Sequence, residues 1–228
     1  MQALPRLLAL ALIALAGAFQ GAQAQKDPDL APKYGSAPKT QAQKDADQKF
    51  IAAMDKQFKG DRKKAAQDVA TRGWQLLRQG NAAEAMRRFN QAWLLDKSSG
   101  MALWGMAAVL GGTGHGGDAL KLLAEAEKSM GNDVDFAVDH ARALGMAGVQ
   151  TRDEAMVRQA LDRYAGIHVR YPQHTLNLQN WAITLYGVGQ YALAWDRIQL
   201  AEATPRRSQV DPRFIAALQQ KMPRPAKK

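Results

Sequence analysis

Three places in the sequence carry residue types that could do chemistry. Gly112, Gly114 and Gly117 give a G-x-G-x-x-G string. That string cradles a pyrophosphate when it follows a strand and opens a helix. Here a helical-period apolar stretch precedes it, so it reads as a turn, and no Lys-Ser/Thr of a phosphate-binding loop accompanies it. His115 lies in the same turn and reads as solvated. His140 stands beside Asp139, with Asp135 one turn earlier. A metal or an acid–base pair there needs further ligands at the same place. His168 and His174 flank Pro172 further along the chain, and no His-Glu-x-x-His run occurs. Pairing of Asp135 or Asp139 with Arg142 is therefore the plainer reading. There is no Gly-x-Ser-x-Gly elbow and no cysteine. That excludes disulfides, thiolate metal sites and a cysteine nucleophile. No catalytic, cofactor-binding or metal residue is assigned, and the chain is expected to be no enzyme and to need no cofactor.

The elements that position these residues follow from one repeated pattern. Gly73, Leu76, Gly80, Ala85, Phe89 and Ala92 recur 34 positions later as Ala107, Leu110, Gly114, Ala119, Leu123 and Ala126. Small residues return at small positions and large apolar ones at large positions. A fixed period of that length marks a solenoid of paired helices. The first pair is expected over 61–79 and 82–96, the second over 99–110 and 118–130. Leu144 and Gly148 lie 34 residues beyond Leu110 and Gly114, but Ala160, Tyr164 and Ile167 lie 41 beyond Ala119, Leu123 and Ala126. The excess of seven residues is close to two helical turns. Thr151 to Glu154 reads as a capping box that starts the second helix of this pair early and lengthens it. The fourth pair resumes the period: Ala194, Ile198 and Ala201 follow Ala160, Tyr164 and Ile167 by 34.

The ends read differently. Leu7 to Ala18 is an unbroken apolar run of 12 residues after Arg6, followed by Ala22-Gln23-Ala24. This is the form of a signal peptide over 1–24, cleaved after Ala24, and too short to span a bilayer as a helix. The location expected is the bacterial periplasm. Residues 25–46 are polar and carry Pro28, Pro32 and Pro38, which suggests a flexible tether. Phe50, Met54 and Phe58 form one helical stripe, so 47–60 is read as an N-terminal helix. Asp211-Pro212 opens an expected C-terminal capping helix over 211–222, and 223–228 is a basic tail. The 31 Lys and Arg against 21 Asp and Glu give a net charge of +10. Export argues against nucleic acid as the target of that charge, leaving anionic wall polymer or membrane surface as an alternative partner for the basic termini.

At the repeated residues the chain resembles the tetratricopeptide repeat (TPR) family. The resemblance rests on Gly73, Ala107, Ala141 and Ala182, and on Ala85, Ala119, Ala160 and Ala194, with the large residues spaced between them. It covers four repeats within 61–206, at about 66–99, 100–133, 134–174 with the insertion, and 175–208. The resemblance implies an all-α fold: a TPR-type right-handed α-solenoid of four helix pairs with N- and C-terminal capping helices. It also implies a concave groove lined by the first helix of each pair. Carried over residue by residue, that groove holds Trp74, Arg78, Met101, Trp104, Asp135, Arg142, Gln179, Ile183 and Tyr186. Trp, Tyr and Arg dominate interface hot spots, although tryptophans at helical spacing are also common core residues. Lys and Asn side chains that clamp a chaperone's carboxylate end in some relatives are replaced by Ala70, Trp74, Gly105, Asp135 and Asp139. The function expected is a non-enzymatic adaptor or scaffold in the bacterial envelope, binding a partner's peptide or helix.

Overall fold

The computed structural model of the protein describes residues 28–226. The leader expected over 1–24, the start of the expected tether and the last two residues of the tail lie outside them. Among the described residues every regular element is helical. Two short 3-10 turns, Pro28–Leu30 and Pro32–Tyr34, come first. Ten α-helices follow: α1 Gln41–Gln57, α2 Arg62–Arg78, α3 Ala82–Leu95, α4 Gly100–Gly112, α5 Gly116–Met130, α6 Val134–Thr151, α7 Glu154–Arg170, α8 Thr175–Gly187, α9 Tyr191–Glu202 and α10 Pro212–Lys221.

Helix starts are set by side chains that accept from first-turn amides, which lack partners within the helix. Asp61 accepts from Lys64 N, Asn81 from Glu84 N, Ser99 from Ala102 N and Asp133 from Phe136 N. Three turns close on a glycine in the left-handed region, with φ of 80° at Gly80, 84° at Gly114 and 78° at Gly189. Such short turns make consecutive helices antiparallel neighbours. The main packing is accordingly within α2/α3, α4/α5, α6/α7 and α8/α9, and each pair then touches the next. Close approach within pairs depends on buried Ala85, Ala119, Ala160 and Ala194.

Phe89 joins the first two pairs. Its ring, fully buried on α3, fills the space between Gly73 of α2 and Gly105 of α4. A Cβ on Gly73 would come within 2.6 Å of that ring, and one on Gly105 within 2.2 Å. Pairs one and two consequently share one apolar cluster, which ends at Phe136 of α6. The third and fourth pairs have clusters of their own.

The seven extra residues of the third pair are divided between both helices rather than lengthening the second alone. α6 has 18 residues against 13 in α4 and α8. α7 has 17 residues, against 15 in α5 and 12 in α9. Thr151 ends α6 instead of capping α7, and Asp153 is the cap, accepting from Met156 N. Gly148 explains the shift. It aligns with the turn glycines but stays helical, because α7 passes close to it: an added Cβ would meet Val157 N at 2.8 Å. The left-handed turn residue is Arg152, with φ of 58°.

The segment expected as a tether is docked from Pro28 onward. Asn90, fully buried on α3, donates from Nδ2 to the carbonyl oxygens of Asp29 and Ala31, each at 2.8 Å. Lys33 pairs with Glu125 of α5. Tyr34 is buried, and burial, then Asp47 and Asp29, hold its phenol well above the usual range. α1 starts at Gln41, inside the expected tether, because Thr40 and Gln43 form a reciprocal capping box. At the other end, α10 buries Leu218, and Trp195 of α9 donates from Nε1 to the Met222 carbonyl at 3.0 Å.

Two alanine substitutions on α4 test the wedge. Gly105→Ala is expected to cost about 2–3 kcal/mol of stability, since the Phe89 ring cannot retreat. Gly111→Ala faces open space and is expected to be neutral or stabilising by up to about 1 kcal/mol. Chemical denaturation of both variants reads the difference.

Candidate partner-binding face

The first helices α2, α4, α6 and α8 carry the residues expected to line a groove. A row of rings runs beneath that face. Phe89 meets Trp74 with centroids 5.6 Å apart, Trp74 meets Trp104 at 4.7 Å, and Trp104 meets Phe136 at 5.7 Å, all edge to face. His140 continues the row, 5.8 Å from Phe136. Edge-to-face pairs of this kind add about 0.5–1.5 kcal/mol each beyond area burial. Both tryptophans are half-buried. They are thus part of the packing between pairs.

Polar contacts tie α6 to its neighbours. Trp104 Nε1 donates to Asp139 Oδ2 at 3.0 Å, and Arg142 Nε lies 3.6 Å from Asp139 Oδ1. Burial raises the Asp139 pKa above the ordinary carboxylate value, against the opposing pull of Arg142 and Trp104. Asp135 is met by His174 Nε2 at 3.0 Å. Nδ1 of that imidazole accepts from Asn177 N at 3.2 Å as the cap of α8, so Nε2 holds the proton and donates. His140 does not pair with Asp139 beside it. Its Nδ1 lies 3.8 Å from Glu127 of α5, a carboxylate that also receives Arg163 Nη1 at 2.7 Å and Nη2 at 3.3 Å. The Arg163 hydrogen bond holds Glu127 below its usual pKa, and burial holds His140 below its own.

The expected site residues therefore divide. Arg78, Asp135 and Arg142 are exposed, and Met101, Ile183 and Tyr186 are half-buried. Among the described residues Arg78 has no charged partner, whereas Asp135 and Arg142 are engaged as above. Tyr186 is packed between Tyr191 and Phe214, at 5.4 and 5.7 Å. Gln179 is a correction. It is buried, and its Oε1 accepts from Asp211 N at 2.6 Å, which fastens the chain just before α10. Its helix is turned so that this position faces the C-terminal element.

Sequence reasoning missed Asp139 as the acceptor for Trp104 and His174 as the partner of Asp135. The 35-residue and 39-residue separations gave no signal. Met146 is 53% exposed one turn after Arg142, and Gly111 and Gly112 leave the end of α4 bare. Among the described residues no three His, Asp or Glu side chains form a group able to hold a metal, and no helix is long and apolar enough to cross a membrane.

Asp139 and Glu127 carry opposite pH dependence. Asp139, with a raised folded-state pKa, makes the fold bind a proton more readily than the unfolded chain. Relative to Asp139→Asn, the wild type should gain stability as pH falls from 7 through the folded pKa, levelling off below the ordinary aspartate value of about 4. Glu127, with a depressed pKa, contributes stability above the ordinary glutamate value and loses it as pH falls through the folded value. Relative to Glu127→Gln the wild type should therefore lose stability toward low pH. Denaturant titrations of the three proteins between pH 7 and pH 3 test both signs.

No protein-family model matches the sequence, and no curated protein is detectably similar to it.

Proposed function

We propose that the protein is an exported, non-catalytic adaptor. In this reading a TPR-type right-handed solenoid holds a peptide or helix of an envelope protein along its first-helix face, in the periplasm of a bacterium. The observation that carries the reading is the make-up of that face. Arg78, Arg142 and Met146 are exposed above a packed ring row, and Gly111 and Gly112 are open beside them. A rigid aromatic base limits the ordering cost of binding. Exposed guanidinium groups supply the bidentate contacts that dominate interface energies. Bare glycines let a bound segment approach the backbone. The 1–24 leader pattern supports export, and the length of the repeat supports the solenoid.

A second reading is favoured by the cations near the C-terminus, where Arg206 and Arg207 are exposed and form no ion pair among the described residues. In it the basic end binds anionic wall polymer or membrane surface.

In-cell crosslinking of the tagged protein, with mass spectrometry of what is captured, separates the two. Trp104→Ala is a poor probe, because it opens the ring row. Arg78→Ala combined with Arg142→Ala and Met146→Ala is expected to leave the melting curve nearly unchanged. Capture of a small set of envelope proteins should fall about tenfold or more in that variant. Capture of no protein, with salt-sensitive retention on wall or membrane material lost on replacing Arg206 and Arg207, would replace the adaptor with the surface binder.

A further inference from the structure

The seven residues added to the third pair do more than lengthen two helices. They carry the α6–α7 hairpin past the level of Gly148, where the other pairs make their turns at Gly114 and Gly189. Pair four has no matching extension. The overhang leaves a cleft of about 500 Å³ between the α6–α7 hairpin and the α8–α9 turn. Gly187 lets α8 come close at its base, since an added Cβ would meet Val149 Cγ1 at 2.8 Å.

The lining is amphipathic. Val149, Val157, Leu161 and Val188 supply its apolar part, and Val188 remains 39% exposed. Arg152 and Arg158 line it as well, with Glu154 as the single acid. Both arginines are exposed, and neither has an ion-pair or hydrogen-bond partner among the described residues. Several other arginines are paired with acids, Arg62 with Asp55, Arg163 with Glu127 and Arg213 with Asp211. Glu154 and Arg158 stand one turn apart on α7 without pairing. Two exposed guanidinium groups without an acid partner, beside an apolar surface, leave a net positive, carboxylate-complementary lining.

We propose that this cleft is a binding site for a small amphipathic carboxylate, an apolar body that ends in a single acid group. The volume falls in the range of ligand sites that hold small molecules. The apolar body lies against Val149, Val157, Leu161 and Val188. The carboxylate lies between Arg152 and Arg158, taking the fork geometry that lysine cannot offer. The site lies at the turns of pairs three and four, apart from the first-helix face, and does not depend on the adaptor reading.

Decanoate titrated into the full-length, isotope-labelled protein provides the test, read by backbone amide shifts. Saturable shifts confined to 148–161 and 187–190 are expected, with binding weakened about tenfold or more in the Arg152→Gln, Arg158→Gln double variant. Both substitutions are on exposed side chains, so the remaining spectrum should be unchanged. Decanol is expected to shift these amides far less. Absence of saturable shifts, equal binding of decanol, or full binding by the double variant would each overturn the proposal.

Discussion

The Phe89 ring is the contact on which the array depends. One side chain, projecting from α3, fills the gap left by Gly73 in its own pair and Gly105 in the next. It serves both as the core of a helix pair and as the joint between pairs. Burying a phenylalanine contributes about 1.5–3 kcal/mol. Its larger effect is geometric, since it sets how closely α2 and α4 approach. That approach brings Trp74 and Trp104 within 4.7 Å, and the ring row then runs on to Phe136.

Further along, polar contacts are added to the apolar joints. Trp104 to Asp139 and Arg163 to Glu127 connect pair two to pair three. Asn177 Nδ2 to the Tyr164 carbonyl, at 3.1 Å, connects pair three to pair four. Hydrogen bonds require alignment where apolar contact does not, so they fix the angle between pairs. A buried polar group left without its partner also costs about 1–3 kcal/mol. Leu161 and Trp181 pack against the buried clusters of both pairs three and four, so apolar contact also joins them. Both ends of the array are covered by docked chain: the 28–34 segment held by Asn90, and α10 held by Trp195 and Gln179.

What was legible in the sequence was legible for a physical reason. Helix pairing follows from local rules, namely the 34-residue spacing, caps such as Asp61 and Asp133, and glycines that accept a positive φ. Small and large residues alternate because neighbouring helices must interlock, and that alternation is visible in one dimension. The groove list was less secure, because a side chain's face depends on helix rotation. Gln179 shows this, since the same repeat position is occupied by half-buried Trp104 in pair two and by buried Ala70 and Val138 in pairs one and three.

The sequence by itself determined the repeat, its all-helical character, the place and size of the insertion and the absence of thiol chemistry, since each rests on composition or on contacts within a few residues. Only the tertiary structure decided how the seven extra residues were divided, because the contact of Gly148 with Val157 involves two helices. It alone laid 28–34 on α3, because nothing in the spacing of Asp29 and Ala31 points to the amide of Asn90 some sixty residues on. It also turned His174 toward Asp135 and left Arg152 and Arg158 without ion-pair partners. Such pairings are set by distances across helices, which a linear pattern does not contain.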